Sequence, residues 1–272
     1  MGLLNRILNA GFGLVFAPFA GLDPIWALSA ISLLAGVLML WIFGKVSDQA
    51  AIGLVRDRIR GNLIGIRLFG DDLGLLFRLQ GRILRQTLTY LRYALVPMLV
   101  LLVPFLLILA QLNLRFSARP LEPGERTLIK VKLRGVSPMS DTVRLEVPSG
   151  VSVETPGVRI EERGEVAWRI RVDQPGHHRL TVKAGGDEVE KELIAGGGWG
   201  AISPLRASAL ADLLLYPGER PIRGSSKIER VEVNYAPLPL TLFGWAVHWL
   251  LFFFVASIVF GFAFRRVLGV EI

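Results

Sequence analysis

The chain has 272 residues, 52% hydrophobic and 20% charged, with 31 Lys and Arg against 23 Asp and Glu. Soluble domains carry about 25% charged residues. Here the apolar residues gather in three runs of roughly 20, the length that crosses a bilayer, which excludes a simple soluble enzyme and a disordered tail protein. There is no cysteine, so disulfides, thiolate catalysis and zinc–thiolate sites are excluded too.

Residues 1–22 read as an interfacial segment, retained rather than cleaved. Leu3, Leu4, Ile7 and Leu8 fall on one side of a helix, with Asn5, Arg6 and Asn9 on the other. The first transmembrane helix is expected over 23–44. Asp23 offers an N-cap, Pro24 suits the first helical position, and Trp26 and Trp41 mark the two headgroup levels. Ser29, Ser32 and Gly36 share one face of this helix, a small-residue stripe suited to packing against a neighbour.

Residues 45–92 carry nine basic residues and four Asp. A loop this short counts under the positive-inside rule and is assigned to the cytoplasm. Apolar residues at three- and four-residue spacing (Ile52, Val55, Ile59, Leu63, Ile66, then Leu73, Leu76, Phe77, Leu79, Ile83, Leu84) predict two helices in a hairpin. Gly70 fits the stop between them, and Asp71 or Asp72 the next N-cap. Arg78, Arg82, Arg85 and Arg92 are the docking candidates of this arm, for acidic partners, the ribosome, a nascent chain or anionic lipid headgroups.

The second transmembrane helix is expected over 93–113, continuous with the hairpin and containing Pro97 and Pro104. Arg115 and Arg119 follow it, a mild vote against an exterior position for what comes next. Over 118–196 short alternating stretches are separated by turn residues: Thr127–Leu133, Val143–Val147, Val151–Thr155, Val166–Val172, Leu180–Lys183 and Val189–Leu193. This pattern predicts a small all-β antiparallel sandwich on the exterior side. "LEPGERTLIKVKL" and "QPGHHRLTVKAGGDEVEKEL" resemble the edges of an immunoglobulin-like domain without its cysteine pair.

Residues 197–237 read as an exterior connector. Gly196-Gly197-Gly198-Trp199-Gly200 is a flexible joint, Ala207–Tyr216 a short apolar helix, and Lys227–Tyr235 one more strand. The third transmembrane helix is expected over 240–264, with Trp245 and Trp249 at one end and Arg265-Arg266 opening a cytoplasmic tail over 265–272. The resulting topology is a multi-pass inner-membrane protein, with N-terminus and sandwich exterior and C-terminus cytoplasmic.

Catalytic motifs are absent: no phosphate-binding loop, no H-E-x-x-H and no G-x-S-x-G occurs. His177 and His178 are adjacent, so in a strand they point to opposite faces as exposed residues. His248 lies inside the third run, about a turn from its outer end, and is a candidate on that ground. No enzyme, cofactor, metal or nucleic-acid readout is expected.

The order N-out helix, basic cytoplasmic hairpin, helix, exterior connection, helix resembles the three-helix members of the Oxa/YidC/Alb insertase superfamily. These include the third subunit of the ER membrane protein complex and its archaeal relatives. The stretch "KVSDQAAIGLVRDRIRGNLIGIRLFGDDLGLLFRLQGRILRQ" stands where that family has its cytosolic coiled coil. The resemblance implies assistance in inserting or assembling membrane proteins. A hydrophilic groove would then be lined by Ser29, Ser32, Gln111 and His248, with Arg85 and Arg92 at its mouth. The alternative is a non-catalytic scaffold subunit with protein partners on both sides of the bilayer. Polar groups converging from three helices would favour the first, and a dry apolar contact the second.

Overall fold

The computed structural model describes residues 2–68, 73–140 and 142–269. It divides into two compact units, residues 1–28 with 107–249 and residues 29–106 with 250–272. The fold mixes helices with antiparallel sheets.

The helices begin with α1 (Gly2–Phe16) and α2 (Pro24–Val46). Asp23 caps α2 as its sequence predicts: Oδ1 accepts the Ile25 N–H at 3.0 Å. Asp48 does the same for α3 (Gln49–Leu68), accepting from Ala51 at 3.0 Å. The expected stop at Gly70 and cap at Asp71 or Asp72 lie outside the described residues. α4 (Leu73–Phe116) then runs 44 residues without interruption through Pro97 and Pro104. α2 and α4 are each long and apolar enough to cross a membrane.

In the second unit, α3 and α4 form the hairpin. Val55 and Leu79 are buried, and Gly65 lets Leu79 approach closely. The seam is narrower than the periodicity predicts: Leu63, Phe77 and Leu84 are exposed.

The first unit holds two antiparallel sheets that share a core, and a separate two-stranded hairpin. The larger joins β1 (Arg126–Leu133), β3 (Val151–Val153), β4 (Val158–Ile160), β5 (Glu165–Val172), β8 (Leu205–Ala207) and β9 (Ile228–Val233), in the order β3-β5-β1-β9-β8 with β4 also on β5. The smaller is β2-β6-β7, made of β2 (Arg144–Glu146), β6 (Gly176–Ala184) and β7 (Asp187–Ala195). Alternate residues of both sheets share one core, with Ile129, Val131, Ile170, Val231, Leu180, Val182 and Leu193 all but fully buried.

Three features differ from expectation. The β fold does not close at residue 196: β9 pairs with β1 in register Val131↔Val231, and β8 pairs with β9. The 197–237 segment therefore supplies core strands, because β1 needs a partner on its second edge as well as β5. The glycine-rich joint is pinned rather than loose. Trp199 stacks on Phe116 at 5.4 Å, meets Phe16 edge-on at 5.9 Å, and donates from Nε1 to the Leu22 carbonyl at 3.1 Å. Between these elements, α5 (Leu210–Leu215) matches the short helix expected there.

The third apolar run is also not one helix. Residues 241–246 form the hairpin β10 (Thr241–Leu242) and β11 (Trp245–Ala246), and α6 (Trp249–Phe264) starts only at Trp249. Phe243 and Gly244 have φ of 50° and 84°. Two consecutive positive φ values make a tight two-residue hairpin turn, which no helix accommodates.

Arg119 meets Glu125 through two hydrogen bonds of 2.9 and 3.0 Å at the entrance to β1. Burial works to raise the Glu125 carboxyl's pKa. The Arg119 hydrogen bond, the Glu122 N–H and the Arg119 charge outweigh it and hold the carboxyl below its ordinary value. A depressed folded-state pKa stabilises above the unfolded value of about 4.5 and is lost as pH falls through the folded one. Glu125→Gln should therefore lower the unfolding midpoint at pH 7 and lower it much less at pH 3. An equal difference at both pH values would show that the pair does not act through ionisation.

Candidate functional site

Polar side chains gather at two places along α4. The first is its C-terminal end, in the first unit. Gln111 and Arg115 are one turn apart and both buried. Gln111 Nε2 donates to Asn9 Oδ1 at 2.8 Å, and Arg115 Nη1 donates to Gln111 Oε1 at 2.8 Å. The Arg115 guanidinium also lies 5.2 Å from the Phe16 ring centre and 5.9 Å from that of Phe12. Asn9, read as part of α1's outward polar side, faces the protein, and Ile7 and Leu14 are exposed instead. Arg115, read from the sequence only as a charge following the second apolar run, is a packed part of this network. The i, i+4 spacing of Gln111 and Arg115 was the available signal.

The remaining groove candidates are distributed as follows. Ser29 is half-buried and Ser32 fully buried on α2, in the second unit. His248 belongs to the first unit, is exposed, and stacks on Trp249 at 5.9 Å. It precedes α6 rather than lying inside a helix, since the β10–β11 turn takes up the residues expected to begin that helix.

The second place is the hairpin. Arg78, Arg82, Arg85 and Arg92 are exposed and, at spacings of four, three and seven residues, share one face of α4. Arg82 and Arg85 line a polar cleft of about 690 Å³ together with Val55, Arg58, Gly61, Asn62, Gln86 and Thr89. Arg78 and Arg92 are not part of its lining. Asn62 Nδ2 bridges the helices, donating to Gln86 Oε1 at 2.8 Å and to the Arg58 carbonyl at 3.0 Å. Arg58 and the Asn62–Gln86 bridge escaped the sequence reading, since only the helix crossing brings them to Arg82.

Also in the second unit, a cavity of about 310 Å³ lies between α2, α4 and α6. Its walls are apolar, from Leu40, Phe43, Leu101, Phe105, Phe253 and Phe262 among others, with Ser257 the one hydroxyl.

Among the described residues, no group of three His, Asp or Glu could hold a metal ion. The adjacent histidines diverge as expected, but only one is exposed. His177 Nδ1 is 2.9 Å from Glu192, whereas His178 is buried and its Nε2 lies 2.8 Å from the Gln174 carbonyl. His178 occupies an inward position of β6, which alternation forces on one of any two neighbours.

Comparison with protein families, with curated proteins and with solved structures finds no match.

Proposed function

We propose that the chain is a multi-pass membrane protein acting as a non-catalytic subunit of a membrane complex. Its β domain would be exterior, its α3–α4 hairpin cytoplasmic, and both would bind protein partners. The membrane reading is supported by the surface of α4: Met98 and Val103 are 65% and 62% exposed, and their apolar neighbours are similarly open. In water such a surface would drive aggregation, whereas lipid tails cover it at no cost. The orientation is supported by the basic residues of 45–92. Arg115 and Arg119 are held by Gln111 and Glu125, which weakens their contrary vote.

The single observation that carries the subunit reading is the apolar wall of the α2–α4–α6 cavity. A polar conduit for inserting chains needs hydrogen-bonding groups there, and a packing contact does not. The insertase-like reading, with the Oxa/YidC/Alb resemblance, is favoured by a different feature. The cavity has room for apolar side chains of another helix, and exposed Leu63, Phe77 and Leu84 offer a grip on the hairpin. Nascent membrane proteins would then be the partners.

Charge reversal at Arg78, Arg82 and Arg85 tests both readings. Each favourable contact is worth about 1 kcal/mol, and reversal adds repulsion. Association of cytoplasmic partners, measured by quantitative co-purification, should fall more than tenfold, while His248→Gln is nearly silent. A silent triple reversal with a damaging His248→Gln would move the working site away from the hairpin. A photo-crosslinker at Met39, on the cavity wall, separates the two readings: capture of nascent chains supports the insertase, and capture of a stable subunit supports the scaffold.

A further inference from the structure

We propose that the cleft between α3 and α4 binds a phosphate oxyanion, whether on an anionic lipid headgroup or as free phosphate. The lipid source rests on the membrane reading of α4; the anion chemistry does not. Three arginines, Arg58, Arg82 and Arg85, line one cleft, and no carboxylate is among its described lining residues. Three like charges in one concavity repel one another unless an anion balances them. Guanidinium is also the side chain whose planar fork matches phosphate oxygens in pairs.

The polar groups around the arginines are already engaged with one another. Asn62 ties α3 to α4 through Gln86, and the Thr89 hydroxyl donates to the Arg85 carbonyl at 3.0 Å. The cleft is therefore braced by its own amides, and what it offers a ligand is positive charge. Its volume of about 690 Å³ exceeds what a phosphate group alone requires.

Position favours the lipid. Arg85 stands eight residues before Tyr93, where the apolar stretch of α4 begins, which is about 12 Å along a helix.

The test uses the full chain in a neutral detergent and measures retention of phosphatidic acid against phosphatidylcholine by native mass spectrometry. Arg82→Gln/Arg85→Gln removes two cleft charges. Arg60→Gln/Arg67→Gln removes the same charge from the same hairpin, outside the cleft lining. The wild type should retain phosphatidic acid in preference. The cleft pair should lose at least tenfold and the α3 pair less than threefold, with unchanged helix content by circular dichroism. Competition by millimolar inorganic phosphate would identify free phosphate as a sufficient ligand, and its failure would assign the site to the lipid headgroup. Equal loss in both pairs would overturn the proposal, since a diffuse basic surface would then explain the binding. So would equal retention of the two lipids together with no binding of inorganic phosphate. Alkaline carbonate extraction of membranes checks the underlying reading separately: release of the chain would refute the span and leave the phosphate arm decisive.

Discussion

Replacing Gly36 with leucine should disrupt the packing of α2 on α6. A Cβ at Gly36 would overlap the Ser257 carbonyl oxygen and lie 3.2 Å from the Gly261 nitrogen. Both are backbone atoms, so no rotamer change relieves the overlap. The helices would have to move apart, opening the apolar contact around them. Overpacking costs about 1–3 kcal/mol and occasionally more, and a clash with backbone belongs at the upper end. Gly261→Ala is the control on the facing helix. Its Cβ would meet the Gly36 carbonyl oxygen at 3.6 Å, an ordinary contact. Denaturation in sodium dodecyl sulfate, with hydrogen exchange read over Trp249–Phe264, should show a large loss for Gly36→Leu and little for Gly261→Ala. Wild-type behaviour of Gly36→Leu would mean that this contact does not hold α6.

The second large effect is expected at Lys191. This lysine occupies an inward position of β7, between Val189 and Leu193, and is fully buried. Its ammonium pairs with Glu219, whose side chain is 10% exposed, and also donates to the Ser203 carbonyl at 2.6 Å and the Glu192 carbonyl at 3.2 Å. All three donors are thus used. Burial pushes the ammonium's pKa down, and the nearby Glu219 carboxylate works against it. Lys191→Met removes the cation and leaves the Glu219 carboxylate without its ammonium partner, though the Glu192 N–H still donates to it at 3.3 Å; breaking comparable buried pairs costs about 3–5 kcal/mol. Lys191→Met combined with Glu219→Leu removes both charges and should recover most of that loss. Hydrogen exchange of β6 and β7 in the full chain gives the readout. If the double variant is no better than the single one, the lysine is needed for its carbonyl contacts and the ion pair is incidental.

Much of the architecture was legible along the chain, for reasons that are local. Asp23-Pro24 announces the start of α2 because an N-cap and a first-turn proline act within three residues. β1, β5, β6 and β7 show in the alternation of apolar and polar residues, because a strand with one buried face must alternate. The length of α4 follows from a run whose apolar part and amphipathic part have the same helical period. Gly36 and Ser32 could be placed on one helix face from spacing alone.

Other features depend on partners far away in sequence. β9 joins β1 across about 100 residues, and nothing near Lys227 says which edge it will take. Lys191 breaks the alternation of β7, and only the loop carrying Glu219, 28 residues on, makes that tolerable. Nothing near Arg115 in the sequence says that Asn9 and Phe16 of α1 will pack against it.

By itself, then, the sequence determined α2 and α4, the alternating strands β1, β5, β6 and β7, the cap at Asp23 and the basic character of the α3–α4 segment. These follow from propensity, period and charge within a few residues. The tertiary structure alone decided the place of β9 in the sheet, the burial of Lys191 and Arg115, the hairpin before α6 and the arginine cleft. Each of these arises where segments distant in the chain meet, and such contacts leave no periodic trace in either segment.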